Sequence, residues 1–113
     1  MSHEVRNTYD LFIGGEWVRA TSTAQLECLS PLTQETLTRV PDANERDVAA
    51  AVEAAAQAPQ GWAETPTRKR QAALEAAADL LLAQIDNIAW LESANTGKPI
   101  RESRANVHTA ADR

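Results

Sequence analysis

A glycine–lysine pair late in the chain is the first place where residue types and spacing suggest chemistry. It lies in the segment ESANTGKPIRES, residues 92–103, and such a pair is part of the loop with which many proteins bind nucleotide phosphates. That loop also needs a glycine five residues before Gly97 and a Ser or Thr after the lysine, but Glu92 and Pro99 occupy these positions. The pattern instead predicts that one helix ends at Gly97 and that the next begins at Pro99.

The cysteine and the two histidines are the other side chains that could act as a nucleophile or a base. Cys28 falls in a predicted strand, with no helix N-terminus or glycine-rich loop nearby to lower the pKa of its thiol. His3 lies in a polar end and His108 on the polar face of a predicted helix, without a cysteine or an acid at a useful spacing. We therefore predict no catalytic residue in this chain. With one cysteine there is no intrachain disulfide, which fits a reducing compartment.

The residues from about 9 to 40 are predicted to form a short antiparallel β meander. In YDLFIGGEWVRA, two apolar or aromatic runs flank Gly14 and Gly15, and paired glycines supply the positive φ of a tight hairpin turn. The runs AQLECLS and TLTRVP flank a second turn that begins at Ser30-Pro31. Because the glycine pair is interpreted as a turn, we assign no cofactor-binding residue to it.

From about residue 44 to residue 113 the pattern predicts three or four α-helices on one side of the strands, which gives an α/β fold class. Asn44 with Asp47 three residues later is typical of a helix N-terminus. We expect Pro59 and Gly61 to end this first helix.

The later helices are indicated by apolar residues at spacings of three and four. The stripe of the second helix consists of Leu74, Ala77, Ala78, Leu81, Ile85 and Ile88. Asp86-Asn87 is expected to break it, and Ile100, Val107 and Ala111 give the last helix a rough apolar face. That helix receives no stop signal before Arg113, so we expect the chain to be part of a longer one.

Composition excludes several classes of partner. The net charge is −5, and the basic run at residues 67–70 is too short for a nucleic-acid surface. No apolar run reaches the length of a membrane span, and MSHEVRNTYD lacks the apolar core of a signal peptide. We therefore expect that the protein binds neither nucleic acid nor a membrane and that its location is cytoplasmic. Residues 1–8 are expected to be disordered.

Taken in order, several segments resemble the N-terminal part of the aldehyde dehydrogenase superfamily. Its members typically open with an LFINGEW-like hairpin, an NP.TGE-like turn, a DV..AV.AA helix, a Trp, an R...L helix and a D.GKP cap. The matching segments here are LFIGGEW at 11–17, SPLTQE at 30–35, residues 47–56, Trp62, Arg70 with Leu74, and NTGKP at 95–99. Each motif alone is weak, but the ordered set is specific.

The resemblance implies an enzyme that oxidises an aldehyde to a carboxylic acid with NAD or NADP, and that is a homo-oligomer at full length. Residues 9–113 would form an incomplete N-terminal segment of its cofactor-binding domain. The catalytic cysteine, the general-base glutamate, the glycine-rich cofactor turn and the oligomerisation part would all lie downstream. We therefore expect this chain alone to be inactive, and the segment leaves open the aldehyde substrate, the choice of NAD or NADP and the oligomeric state.

The resemblance also implies one site within the chain. Betaine-aldehyde-type members, the nearest subgroup, bind K+ or Na+ through backbone oxygens before the NP-like turn and through the carboxylate of D.GKP. The corresponding residues are Cys28, Leu29 and Asn95. Asn95 keeps an oxygen ligand but lacks the charge, and Ser30 replaces the usual asparagine of the turn. The alternative is a structural role for Asn95 at a helix end.

A second hypothesis for the whole chain remains open. It is a non-catalytic truncated product that acts, if at all, as an interaction module for a full-length relative.

Overall fold

The computed structural model describes residues 5–112, in which four strands precede four helices. The strands are β1 (Leu11–Ile13), β2 (Glu16–Val18), β3 (Gln25–Leu29) and β4 (Thr36–Pro41). The helices are α1 (Glu45–Glu64), α2 (Thr67–Ala83), α3 (Ile85–Thr96) and α4 (Ile100–Ala111). This order confirms the predicted α/β class.

The first hairpin joins β1 to β2 through the predicted glycine turn. Gly14 and Gly15 have φ values of 63° and 87°, a region that favours glycine. Phe12 pairs with Trp17 across the hairpin, and their ring centroids lie 5.1 Å apart. A Cβ at Gly14 would lie 3.9 Å from the Cβ of Ala54, so the turn lies against α1.

The second hairpin joins β3 to β4 and forms a separate two-stranded sheet. Arg39 and Glu27 form an ion pair across it, with 2.6 Å between nitrogen and oxygen. The described strands therefore form two hairpins and not one continuous meander. In the connection between them, the amide of Thr21 donates to Asp47 and that of Ala24 to Ser22 Oγ.

The segment before β1 pairs with β4. The amide of Tyr9 donates to the carbonyl of Arg39 at 3.2 Å, and the amide of Arg39 donates to the carbonyl of Asn7 at 3.1 Å. The hydroxyl of Thr38 donates to the carbonyl of Arg6 at 2.6 Å. Of residues 1–8, which were predicted to be disordered, residues 1–4 lie outside the described residues. Arg6 and Asn7 instead bond to β4, whose open edge offers unpaired backbone groups.

Helix α1 begins with the predicted cap. Asn44 Oδ1 accepts hydrogen bonds from the amides of Arg46 and Asp47, and the Asp47 carboxylate accepts one from the amide of Asn44. Asp47 is buried, with 5% of its surface exposed. Its hydrogen bond from the amide of Thr21, joined by the one from Asn44, holds the pKa of this carboxyl below its ordinary value, although burial acts in the opposite direction.

The prediction that Pro59 and Gly61 end α1 was wrong, because the helix continues to Glu64. A proline in a helix removes one backbone hydrogen bond. The last turn is held at its end by Thr65, whose amide donates to the carbonyl of Trp62 and whose hydroxyl donates to that of Gly61. These bonds satisfy carbonyl groups that a helix end otherwise leaves unpaired.

The remaining helices pack on one another, α3 and α2 each against α4. Gln84 separates α2 from α3, so the break predicted at Asp86-Asn87 lies two residues earlier. Ala89 of α3 and Val107 of α4 are the buried apolar residues in the described part of the chain. The core is therefore thin, as the alanine-rich composition predicts.

The described residues divide into two compact units. The hairpin unit comprises Arg6–Cys28 and Thr38–Thr65, and the helical unit comprises Leu29–Leu37 and residues 66–112, with Val5. Among the helices described, none combines the length and apolar character that a bilayer span requires.

Candidate functional site

The serine loop, residues 30–35, is shaped by hydrogen bonds to Ser30. This residue is buried, with 6% of its surface exposed. Its Oγ accepts hydrogen bonds from the amides of Leu32 and Thr33, each at 3.3 Å, and its own amide donates to the carbonyl of Glu35 at 2.9 Å. Asparagine and serine side chains both form such local turns. Ser30 can therefore replace the asparagine of the NP.TGE-like pattern without loss of the turn.

Gln34 closes the serine loop in a left-handed conformation, with φ at 62°. The NP.TGE-like pattern has glycine at this position, because a residue without Cβ adopts this conformation freely. The Gln34 amide donates to the carbonyl of Ser30 at 2.9 Å, and its side-chain Nε2 donates to that of Pro31 at 3.1 Å. These bonds offset a backbone cost of about 1–2 kcal/mol.

The glycine joint, residues 96–100, connects α3 to α4 as the sequence predicts. Gly97 has φ 75° and ψ 6°, and its amide donates to the carbonyl of Ser93 at 2.9 Å. Pro99 precedes α4 directly. A Cβ at Gly97 would lie only 3.3 Å from Cγ of Pro31. The serine loop and the glycine joint are therefore in close contact within the helical unit.

Glu92 and Lys98 form an ion pair at the joint, in which the Lys98 ammonium donates to the Glu92 carboxylate. This hydrogen bond, and a further one from Asn106, hold the pKa of Glu92 below its ordinary value, whereas desolvation raises it. Glu92 is therefore ionised at neutral pH. Lys98 is engaged by a carboxylate of its own chain, which agrees with the exclusion of a phosphate loop.

A groove of about 920 Å³ lies between the serine loop and the glycine joint. Most of its walls are apolar, and Leu32 is 88% exposed. The apolar lining residues are Pro31, Leu32, Leu37, Trp90, Ala94 and Ile100.

The predicted cation ligands lie at the end of β3 and near the end of α3. Leu29 is the last residue of β3, and Asn95 is exposed near the end of α3, both in the helical unit. Leu29 lies two residues before Pro31, and Asn95 lies two residues before Gly97, which contacts Pro31. Cys28 belongs to the hairpin unit. The K+ or Na+ site stays a prediction.

The cysteine and the described histidine lie on different elements. Cys28 is a half-buried free thiol in β3, and His108 is exposed on α4. His3 lies outside the described residues. Within residues 5–112 no group of three or more His, Cys, Asp or Glu side chains could hold a metal ion.

The glycines of the described segment do not fit the pyrophosphate of a dinucleotide. Such a group binds where a glycine-rich turn opens a helix. Gly14 and Gly15 instead join two strands, and Gly97 closes a helix. No step that involves NAD or NADP is therefore assigned to these residues.

Two serines at the crossing of α3 and α4 were missed by the sequence reasoning. Ser103 is completely buried, and its Oγ lies 2.9 Å from Oγ of Ser93. Ser103 lies between Ile100 and Val107 on the predicted apolar face, so the helical period marks its position. Its residue type gave no reason to place it in the core, because the partner that satisfies its hydroxyl lies on another helix.

Comparison with known proteins decides the family. The model of the aldehyde dehydrogenase family matches residues 17–113. The chain belongs to this family. The match begins within the first hairpin and includes the serine loop and the glycine joint, so the resemblance seen in the ordered segments is confirmed.

Individual relatives agree with this membership. Acetaldehyde dehydrogenase 2 of Cupriavidus necator is 37% identical over 105 residues, which are 93% of this chain and 21% of that protein. An NAD-dependent aldehyde dehydrogenase from Sinorhizobium meliloti has a TM-score of 0.87 at 31% identity, over 96% of this chain and 22% of the other. A succinate-semialdehyde dehydrogenase from Burkholderia pseudomallei has a TM-score of 0.86 at 36% identity, over 91% of this chain and 21% of the other.

The chain thus spans about a fifth of the length of these relatives. Its strands and helices have the fold of the corresponding part of aldehyde dehydrogenases, which confirms the predicted fold.

Proposed function

We propose that the protein containing these residues oxidises an aldehyde to a carboxylic acid, with NAD or NADP as the hydride acceptor. The observation that carries this proposal is the family match over residues 17–113. The cofactor is supported by the Sinorhizobium meliloti relative, whose name states NAD dependence. The names of two other relatives suggest acetaldehyde and succinate semialdehyde as first substrates to test.

The described segment has a structural role in this proposal, as part of a cofactor-binding domain. Its hydrogen bonds and contacts hold backbone elements in place: Ser30 shapes one loop, Gly97 ends a helix against Pro31, and Asn44 starts another helix. The residues that add to the aldehyde and activate water would come from parts of the protein beyond the matched segment. Assembly as a homo-oligomer and a cytoplasmic location belong to the same proposal.

The test is an assay of the complete gene product beside the 113-residue chain. Each is incubated with acetaldehyde or succinate semialdehyde and with NAD or NADP, and formation of the reduced cofactor is followed by its absorbance. We expect turnover by the complete product and none by the 113-residue chain above a control without protein. A complete product that reduces neither cofactor with any aldehyde, but binds a full-length relative, would support the interaction-module alternative.

A monovalent cation site near the glycine joint is a second, separate proposal. The predicted ligands are the backbone oxygens of Cys28 and Leu29 and the side chain of Asn95. The Pro31–Gly97 contact favours the site, because Leu29 lies two residues before Pro31 and Asn95 two residues before Gly97. Asn95 carries no charge, so we expect weak binding. Thermal unfolding in KCl, NaCl and choline chloride at equal ionic strength measures it.

The Asn95→Asp and Asn95→Ala variants provide the matched comparison for this site. We expect Asn95→Asp to increase the stabilisation by K+ or Na+, because a carboxylate attracts the cation, and Asn95→Ala to abolish it. Equal melting temperatures in the three salts for all three proteins would exclude the site.

A further inference from the structure

We draw no further inference here: the strongest candidate, the open apolar groove between the serine loop and the glycine joint of the helical unit, carries none because nothing in the structure shows what covers it.

Discussion

At Gly97 the chain needs a left-handed backbone and the absence of a side chain at the same time. We expect Gly97→Ala to lower the free energy of unfolding by about 1–3 kcal/mol, because alanine is strained at positive φ and its Cβ would press on Pro31. Urea unfolding followed by circular dichroism measures the loss.

Gly61→Ala is the matched control for this substitution. Gly61 lies within α1, and a Cβ there would meet no atom within 4 Å. Alanine favours a helix over glycine by up to about 1 kcal/mol, so the control should be neutral or stabilising. Equal losses in the two variants would show that the conformation of Gly97 is not what limits substitution.

Asp47 should make the stability of the chain depend on acidic pH. Because its pKa is lowered in the folded state, it contributes stability above its unfolded value, which is close to 3.8, and this contribution is lost as pH falls through the lower folded value. We expect the stability difference between the wild type and Asp47→Asn to be constant near neutral pH and to shrink below about pH 4. Unfolding of both proteins from pH 7 to pH 2 measures this.

Glu53 supplies the control for this pH dependence, because it lies exposed on the same helix. Glu53→Gln should leave the acid limb of the curve unchanged. A constant difference between the wild type and Asp47→Asn down to pH 2 would contradict the role of Asp47.

At the scale of elements, the crossing of α3 and α4 depends on a small residue at position 103. We expect Ser103→Leu to destabilise the chain by about 1–3 kcal/mol, because Ser103 is completely buried and its site has no room for a longer side chain. Ser103→Ala should cost about 1 kcal/mol, the value of a lost hydrogen bond to Ser93. Chemical unfolding of both variants gives the two values.

Ala105→Leu is the control on the same helix, since Ala105 is exposed. A surface substitution of this kind usually changes stability by less than about 0.5 kcal/mol. If Ser103→Leu is as mild as Ala105→Leu, α3 and α4 do not pack closely at Ser103.

The element boundaries that could be predicted are those that neighbouring residues determine. Gly14-Gly15 and Gly97 need positive φ, and Asn44 bonds to amides two and three residues away, so neighbouring residues suffice to determine them. Pro59 is a usual stop signal, but α1 continues through it to Glu64, which its residue type does not predict. The pairing of Arg39 with Asn7 depends on residues distant in sequence, which no local pattern reveals.

The candidate site likewise combines features that residue types predict with features that only the structure reveals. The end of α3 at Gly97 was predictable from residue type, whereas the position of Pro31 against it was not, because that contact joins separate segments. Ser30 was recognised as a departure from the family pattern, but only the structure shows that its hydroxyl takes over the turn. The residue type of Gln34 did not indicate its left-handed conformation, because glutamine rarely adopts it, whereas the NP.TGE-like pattern has glycine at this position.

At the scale of the whole molecule, large apolar side chains remain at the surface. Phe12, Trp17, Leu74 and Leu80 are each more than half exposed. Exposed apolar residues on this scale are typical of surfaces that another chain or segment covers. We therefore expect the folded 113-residue chain to bind the dye ANS, which fluorescence measures.

Replacement of Leu74 and Leu80 by glutamine tests the cause of this behaviour. Both residues lie exposed on α2, and the double variant should bind less dye without loss of helical signal. Absence of dye binding by the unmodified monomer would contradict the expectation.

The contact of Pro31 with Gly97 also has a consequence for how the protein is made. Ribosomes synthesise a chain from its N-terminus, and early segments begin to fold before later ones emerge. The serine loop can form at once, since its hydrogen bonds lie within residues 30–35. Its contact with Gly97, however, cannot form until α3 and its terminal glycine have been translated. A pause in translation between these points would therefore leave the serine loop formed but without the glycine joint that it contacts.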